Sequence, residues 1–365
     1  MKEEISQVRV DLAERSYDIA IGYETLPSCL SQLQAFAGTD KVMIISDGNV
    51  YSQYGDKLEE MLQVAGYEPV HFVVPPGEDS KSWEQAGRIL DDMLQMNLER
   101  KTPVLALGGG VVGDLAGFVA ALYRRGAPLI QIPTTLLAQV DSSVGGKVAV
   151  NHPRGKNMFG TFYQPVAVWA DLATLDTLAA EEWHAGLAEV VKYAVIKDQK
   201  FLQFLEEHAV EILAKDRRYV PKVIERCCQI KADIVSADER DEGLRNILNF
   251  GHTFGHALES ATLYKQYRHG EAVSIGMVAV MELAIQLNLL TVPERDRVIR
   301  LLQDWNLPIH FPSHLVDDVL DNLNYDKKVS GSKVTFILPV TLGQVIMQSG
   351  ISPELLRAVL LKISK

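Results

Sequence analysis

The stretch that decides how this chain is organised spans residues 245–270, RNILNFGHTFGHALESATLYKQYRHG. At the helical pitch of about 100° per residue, four polar side chains fall on a stripe about 60° wide: Arg245, Asn249, His252 and His256. The residues between them are mostly apolar, which predicts that the rest of the helix is buried. Because an unsatisfied polar group on a buried helix costs about 1–3 kcal/mol, we expect a ligand or partner to satisfy this stripe.

The histidines of the stripe favour a metal site. His252 and His256 are four residues apart, so both imidazoles lie on one helix face, the spacing used by helix-borne zinc sites. His269 lies in a glycine-containing segment just before the next predicted helix and is a further candidate ligand. The alternative is a solvated helix face with incidental histidines, which the apolar flanking residues disfavour.

Length and composition limit the classes of protein to consider. A chain of 365 residues predicts two domains, which we place at 1–179 and 180–365. A content of 47% hydrophobic and 23% charged residues is typical of a globular protein. The net charge of −11 argues against a nucleic-acid partner. No apolar run has the length of a membrane span, so no membrane association is expected.

The N-terminus and the cysteines predict a reducing compartment. MKEEISQVRVDLAERSYD is charged from its start and lacks the apolar region of a signal peptide. Cys29, Cys227 and Cys228 have neither a metal-binding spacing nor an even number, so we expect reduced, structural thiols. These features predict a cytoplasmic protein, or a plastid-like location if a transit peptide has been lost.

Compact apolar runs alternate with helical patterns in the first half. Strands are predicted at 4–10, 17–23, 41–46, 69–74, 104–107 and 129–132, and helices at 50–65, 81–96 and 111–123. This alternation predicts an α/β, Rossmann-like nucleotide-binding domain built on a parallel sheet.

A glycine turn marks the predicted nucleotide site. Residues 108–114, GGGVVGD, follow a strand and open a helix, which satisfies the Gly-x-Gly-x-x-Gly pattern in its proper context. Glycines let the backbone approach a pyrophosphate, and the helix N-terminus favours its negative charge. The turn follows a late strand and lacks an acidic residue about 20 positions onward. Asp47, at the end of an earlier strand, is instead the candidate for an adenosine ribose. A tight turn without a ligand is the alternative.

Further polar loops follow other predicted strands. Residues 76–81 (PGEDSK) and Thr134-Thr135 are expected at the same carboxyl edge of the sheet. Residues 141–147 (DSSVGGK) and 151–157 (NHPRGKN) are predicted as two glycine-bearing loops whose lysines form an anion or cofactor pocket. Exposed, solvated basic loops are the alternative.

From about residue 180 the pattern changes to successive helices, with a hairpin-like pair near 333–348. Glu189 and Lys192 share a face of an apolar helix, where a carboxylate needs a cation or a metal. A local Glu–Lys pair is the alternative. Lys231 lies in a predicted helix at 219–237, and the 326–328 segment (DKK) could direct a lysine toward an anion. A mostly helical, metal-binding second domain is thus expected, with the active site in a cleft between the domains. A metal beside a dinucleotide predicts oxidation of an alcohol.

Long, ordered motifs then identify a resemblance. The chain resembles the 3-dehydroquinate synthase family of the shikimate pathway over essentially its full length. The motifs that carry it are LGGGVVGDLAGFVA, IPTTLLAQVDSSVGGKVAVNHPRGKNMFGTFYQP, GLAEVVKY, LNFGHTFGHALE and RHGEAVSIGM.

The resemblance implies roles for individual residues. The metal ligands, for Zn²⁺ or Co²⁺, would be Glu189, His252 and His269, whereas spacing alone would pair His252 with His256. The NAD contacts would be Asp47, Pro76, Gly77, Glu78, Asp79, Ser80, Lys81, Gly110, Val111, Val112, Gly113, Asp114, Thr134, Thr135, Lys147, Lys156, Thr174, Leu175, Asp176 and Thr177. The substrate groups would be Asp141, Lys147, Asn157, Lys192, Lys231, Arg245, Asn249, His256 and one lysine of the 326–328 segment, taken as Lys327. Arg125 would reach the phosphate held by a neighbouring subunit, which implies a homodimer.

The implied enzyme is a phosphate-eliminating carbon–oxygen lyase. It would convert 3-deoxy-D-arabino-heptulosonate 7-phosphate, an anionic sugar phosphate, into 3-dehydroquinate and phosphate. The implied steps are oxidation at C5 by NAD⁺, phosphate elimination, re-reduction, ring opening and aldol closure. Three rivals stand beside it: a sister sugar phosphate cyclase, a metal-dependent polyol dehydrogenase of the glycerol dehydrogenase type, and an inactive NAD-binding scaffold. The anion-binding lysines and Arg245 disfavour the polyol dehydrogenase, and the intact metal set disfavours the scaffold.

Overall fold

The structure is a computed structural model that describes residues 5–35, 38–330 and 334–365, without the side chains of 324–330. The chain divides into two compact units, Met1–Ala179 with Ile224–Arg240, and Ala180–Val223 with Asp241–Lys365. The sequence predicted one division at residue 180 and placed 224–240 in the second domain. Contacts explain why this segment joins the first unit: the Cys228 thiol donates to the Gln139 carbonyl, and the Ser236 hydroxyl accepts from the Asp11 amide.

The first unit contains a seven-stranded sheet and a separate hairpin. Its strands are β1 (Ser6–Val10), β2 (Tyr17–Gly22), β3 (Lys41–Asp47), β4 (Glu68–Val74), β5 (Val104–Gly108), β6 (Leu129–Pro133), β7 (Lys147–His152), β8 (Gly155–Phe162) and β9 (Ala167–Asp171). Its helices up to residue 179 are α1 (Leu26–Leu30), α2 (Gly48–Val50), α3 (Asp56–Val64), α4 (Trp83–Gln95) and α5 (Gly110–Leu122). The sheet order is β1-β2-β9-β6-β5-β3-β4, and every neighbouring pair except β1–β2 is parallel. The predicted parallel α/β sheet is confirmed.

Both faces of this sheet are covered, as its near-continuous apolar strands require. Alternate residues of β3 point to opposite faces. Val42 and Ile44 pack with α1 and α3, whereas Met43 and Ile45 pack with α4 and α5. The strands are therefore packed against helices on both faces, and their carboxyl ends present loops at one edge.

The strand order creates a switch point at that edge. After β3 the chain moves outward to β4, then returns across β3 to β5 and continues in the other direction to β6 and β9. Open α/β sheets bind ligands in the crevice at such a reversal. Here the reversal lies between the ends of β3 and β5, which are Asp47 and Gly108.

Two elements of the first unit differ from the prediction. Residues 147–162 form the antiparallel hairpin β7–β8, with Lys147 opposite Phe162, where loops were expected. The residues of β8 from Asn157 to Phe162 are all exposed, so this strand lacks the apolar–polar alternation by which a half-buried strand is predicted. The central strand β9 was not predicted, although its five residues are all buried.

The second unit is mostly helical. Its helices are α6 (Ala180–Lys197), α7 (Gln199–Glu207), α8 (Ala209–Leu213), α10 (His252–Ala261), α11 (His269–Gln286), α12 (Val292–Asp304), α13 (Val316–Ser330) and α14 (Pro353–Ile363), beside a hairpin of β10 (Thr335–Thr341) and β11 (Gln344–Ser349). Helix α9 (Val220–Ala237) begins in this unit and continues in the first. In the part of the chain that is described, no helix is long and apolar enough to cross a bilayer.

The stretch 245–270 is not one helix, which corrects the prediction made from its pitch. A 3-10 helix spans Leu244–Asn249, Phe250 is extended, and Gly251 adopts a left-handed φ of +80° before α10 begins at His252. A side chain at Gly251 would also lie 2.9 Å from the Val273 carbonyl oxygen. The spacing of His252 and His256 is unaffected, because both lie on α10. Arg245 and Asn249, however, are oriented by a separate element.

Candidate active site

The glycine turn of the first unit has the geometry of an anion site. Gly109 caps α5, so the first amides of this helix have no intrahelical acceptor. The third glycine of the motif, Gly113, allows close packing, since a Cβ there would lie 2.8 Å from the Gln131 Oε1 atom on β6. Val111, Val112 and Asp114 lie in the first turns of the same helix. The predicted strand–turn–helix context of the motif is confirmed.

The neighbouring strand ends bring further predicted residues to this edge. Thr134 follows β6, and its amide donates to the Gly108 carbonyl at 3.0 Å. The Thr134 hydroxyl is buried without a hydrogen-bond partner among the described residues, so it fits a ligand group absent from the structure. Thr135 instead uses its hydroxyl to accept from the Ala138 amide. Asp47 caps α2, and the same carboxylate oxygen accepts from the Asn49 and Val50 amides. The contact of Asp47 with a ribose stays a prediction.

The loop after β4 contributes Lys81. In this loop, Pro76 is followed by Gly77, which has a left-handed φ of +110°. A 3-10 helix then spans Glu78–Ser80 and leads to Lys81. The Lys81 ammonium is buried and lies 2.5 Å from the Asp114 carboxylate. Desolvation raises the pKa of Asp114, and the Lys81 charge opposes that shift. Lys81 therefore forms an ion pair with a protein carboxylate beside the glycine turn.

A π-helix carries the substrate group predicted at Asp141. This element, Ala138–Ser142, follows Thr135, and single π-turns often mark functional sites. The Lys231 ammonium of α9 donates to both the backbone and side-chain oxygens of Asp141, each at 2.6 Å. The structure thus unites two predicted substrate groups that are 90 residues apart in sequence.

The other predicted cofactor residues of the first unit lie in several different elements. The Thr174 side chain is buried, and its hydroxyl accepts from the Gln139 side-chain amide and donates to the Asp171 carbonyl. It therefore stabilises the 3-10 helix Leu172–Thr177, which also contains Leu175, Asp176 and Thr177. Lys147 is exposed at the start of β7, and Lys156 lies in β8.

Arg125 lies beyond the C-terminal end of α5, about 20 Å from the glycine turn along a helix of 13 residues. Within one chain, Arg125 is not brought to this edge.

In the second unit, three helices bring a carboxylate and two imidazoles together. Glu189 of α6 is fully buried. The Nε2 atoms of His252 on α10 and His269 on α11 each lie 3.5 Å from the Glu189 Oε1 atom. Ligand atoms of a tetrahedral site with bonds of about 2.1 Å are about 3.4 Å apart, so this arrangement fits Zn²⁺ or a similar cation.

His256 lies beside this group, so two sets of metal ligands are possible: the three histidines, or Glu189 with His252 and His269. The three histidines offer ligand atoms within 4.8 Å of one another. The His256 ring centroid is 5.4 Å from that of His252 and 5.8 Å from that of His269. The histidine set omits Glu189, a buried carboxylate that both other Nε2 atoms face, and His256 is the exposed member of the group. The geometry therefore favours Glu189, His252 and His269, with His256 alongside.

The surroundings orient both histidines for a metal. The His252 Nδ1 atom lies 3.1 Å from the Phe250 carbonyl, and the His269 Nδ1 atom lies 3.5 Å from the Glu259 carboxylate. Partners of this kind fix the tautomer that leaves Nε2 as the ligand atom. Glu259 was missed at the sequence level, although its position three residues after His256 on a predicted helix was a usable signal.

The charges in this group are strongly coupled. Burial lowers the pKa of His252 to about 3, so its imidazole is neutral. Burial also lowers the pKa of His269, but hydrogen bonds with Glu189 and Glu259 outweigh that effect and raise it above its ordinary value. The Lys192 ammonium pairs with the second oxygen of Glu189. A divalent cation would displace the His269 proton and take over its role in neutralising the carboxylate.

The remaining predicted substrate groups lie on neighbouring elements of the second unit. Arg245 is buried in the 3-10 helix that ends at Asn249. Glycines allow the helices that carry Glu189, His252 and His269 to approach closely. A Cβ at Gly270 would lie 1.9 Å from the Ala185 carbonyl oxygen of α6, and a Cβ at Gly276 would lie 2.0 Å from the Gly251 carbonyl oxygen. Lys327 lies in α13, but its side chain is outside the described residues.

Comparison with family models follows the same two-part pattern. Residues 71–185 match the model described as 3-dehydroquinate synthase N-terminal, and residues 186–329 match the one described as 3-dehydroquinate synthase C-terminal. A 3-dehydroquinate synthase from Desulforamulus reducens is 49% identical over 339 residues, which cover 93% of this chain and 94% of that protein.

Solved structures with this fold include enzymes that carry other names. A 2-epi-5-epi-valiolone synthase from Streptomyces hygroscopicus subsp. jinggangensis, with NAD⁺ and Zn²⁺ bound, is similar with a TM-score of 0.88 and 30% identity over 97% of this chain and 98% of that one. A 2-deoxy-scyllo-inosose synthase complexed with carbaglucose-6-phosphate, NAD⁺ and Co²⁺ has a TM-score of 0.88 and 25% identity over 98% of this chain and 100% of that one.

Proposed function

This chain belongs to the 3-dehydroquinate synthase family, and from that premise we propose that it is itself a 3-dehydroquinate synthase. The proposed reaction converts 3-deoxy-D-arabino-heptulosonate 7-phosphate into 3-dehydroquinate and inorganic phosphate, with NAD⁺ reduced and reoxidised within each turnover. The observation that carries the proposal is the approach of His252 and His269 to one oxygen of Glu189, each at 3.5 Å.

We propose NAD and one divalent metal, Zn²⁺ or Co²⁺, as cofactors. The metal would polarise a substrate hydroxyl, and the nicotinamide would accept and return a hydride. Glu189, His252 and His269 would hold the metal. The glycine turn and the buried hydroxyl of Thr134 would receive the dinucleotide.

Basic groups fixed by acidic neighbours suit a substrate with a carboxylate and a phosphate. Lys231 is held by Asp141 at 2.6 Å, and Lys192 is held by Glu189. Arg245 is buried, so its guanidinium has few available conformations and can bind an oxyanion with little loss of entropy. These cations bind anions although the chain carries a net charge of −11. Elimination requires only a weak base after oxidation at C5, and the leaving phosphate can serve as that base.

The test is a phosphate-release assay with several sugar phosphates and NAD at catalytic concentration. We expect release from the heptulosonate phosphate without net NADH. Stoichiometric NADH would instead support a polyol dehydrogenase. Release only from a different sugar phosphate would support a sister cyclase.

We further propose that the enzyme is a homodimer. Arg125 is exposed at the end of α5 far from the glycine turn, so it is suited to serve a second subunit. The exposed apolar side chains of Met158, Phe159 and Phe162 on β8 also favour association. Light scattering should give a dimer. Mixing Arg125→Ala with an inactive Glu189→Ala variant should restore part of the activity if Arg125 acts across subunits, and should restore none if it acts within its own chain.

A further inference from the structure

The Lys81 ammonium joins two loops of the first unit. It is buried, with 6% of the residue exposed, and it donates to the Asp114 carboxylate at 2.5 Å and to the Asn157 side-chain oxygen at 2.5 Å. We propose that Lys81 is a positioning residue that orients the carboxamide of Asn157 toward the substrate and couples substrate binding to the cofactor turn. This inference rests on the proposed function, because it takes Asn157 as a substrate group.

The chemistry of a carboxamide makes the orientation matter. An asparagine presents an acceptor on one side and a donor on the other. Because the Asn157 oxygen accepts from Lys81, its NH₂ group is turned away from the ammonium. Asn157 is an exposed residue, so this NH₂ group can donate to an oxygen of a bound sugar phosphate. Without the ammonium, the carboxamide would lose the contact that distinguishes its two orientations.

The backbone around Asn157 is attached to the loop that carries Lys81. The Asn151 amide donates to the Lys81 carbonyl at 2.8 Å, and the Asn151 side chain donates to Glu78 at 2.7 Å. The Asn157 amide in turn donates to the Asn151 side-chain oxygen at 2.9 Å. Asn157 itself has a left-handed φ of +57°, a conformation that asparagine tolerates better than most residues. The end of the β7–β8 hairpin is therefore built on the loop after β4.

The other partner of Lys81 lies beside the glycine turn. Asp114 is on α5, whose N-terminus forms the proposed pyrophosphate site. An unpaired carboxylate there would repel the cofactor, and the Lys81 charge offsets it. An ammonium has three donors, and Asp114 and Asn157 occupy two of them. One ammonium can thus link the occupancy of the turn with the orientation of the substrate group.

A double-mutant cycle tests this coupling. Lys81→Met, Asn157→Ala and the double variant are compared for NAD affinity, by titration without substrate, and for KM and kcat with the heptulosonate phosphate. We expect each single variant to raise KM about tenfold, equivalent to about 1.4 kcal/mol. The double variant should be no worse than the worse single variant, within about twofold, because both remove the same interaction. Lys57→Met, at an exposed position of α3, is the matched control and should leave KM unchanged.

A second substitution isolates the donor. Asn157→Asp keeps an oxygen that accepts from Lys81 but removes the NH₂ group. It should bind NAD as the wild type does and raise KM as much as Asn157→Ala. A wild-type KM in this variant would overturn the inference, as would a double variant with the product of the two single effects, about a hundredfold. A wild-type protein that releases no phosphate would instead contradict the proposed function itself.

Discussion

The two candidate sites are built in different ways. In the first unit the glycine turn offers backbone amides at a sheet edge, and lysines in nearby loops supply the charge. In the second unit the donors are side chains on α6, α10 and α11, and glycines allow those helices to approach closely. A backbone site follows from strand order and tolerates small shifts of side chains. A site made of buried ionisable side chains requires those side chains to be held to within about 0.5 Å, so substitutions should affect the two sites unequally.

The largest effect is expected from removing a metal ligand. His252→Ala should lower kcat about a thousandfold or more, because a Lewis acid supplies several kcal/mol of charge stabilisation. The measurements are turnover after chelation and re-metallation, and bound metal per chain. His314→Ala, an exposed histidine of the same unit, should retain both. Full metal content in the His252 variant would favour a different ligand set.

The next effect concerns helix packing in the second unit. Gly270→Ala should cost about 3 kcal/mol or more and weaken metal binding, because its Cβ would lie 1.9 Å from a backbone oxygen that cannot move freely. Thermal unfolding and metal titration measure this loss. The same substitution at Gly87 on α4 should stabilise the protein by about 0.5–1 kcal/mol. An added Cβ at Gly87 would have no atom within 4 Å apart from its own helix backbone and chain neighbours.

The corresponding change in the first unit should be milder. Gly113→Ala places a Cβ 2.8 Å from the amide end of Gln131, which is a flexible side chain. We expect a cost of about 1–2 kcal/mol and a modest loss of NAD affinity. If this variant loses as much stability as Gly270→Ala, then the glycine turn is as sensitive to packing as the Glu189, His252 and His269 group, and the contrast between the two sites is wrong.

The smallest effect is a pH dependence away from both sites. Burial tends to raise the pKa of Glu282, but hydrogen bonds from Lys362, Gln286 and Arg295 outweigh it, so the pKa is lowered from 4.5. A carboxylate with a depressed pKa contributes stability that is present above 4.5 and is lost as pH falls through the folded-state pKa. Glu282→Gln should therefore cost about 1 kcal/mol or less at pH 7, because both cations are partly exposed. This cost should shrink as pH falls below 4.5 and through the folded-state pKa. Denaturant unfolding at several pH values measures this, with the exposed Glu354→Gln as control.

The sequence predicted the two sites to different depths. Periodicity and glycine spacing located β3 to β6 and the turn before α5, because these signals are local. The kink at Phe250–Gly251 was missed because the 3.6-residue pattern continues across it in sequence. The choice between His256 and Glu189 required packing information, since Glu189 is 63 residues before His252 in the chain. The links of Lys81 with Asn157 and of Lys231 with Asp141 are equally non-local. No periodic signal encodes them.

Helix α9 has a practical consequence for anyone who wishes to produce the halves separately. A fragment ending at residue 179 would lack Ile224–Arg240, and with it the donors that reach Gln139 and Asp141. Such a fragment would expose apolar surface and lose the lysine beside its own π-helix. Expression of an autonomous nucleotide-binding half therefore requires a gene in which an artificial linker joins residue 179 to residue 224.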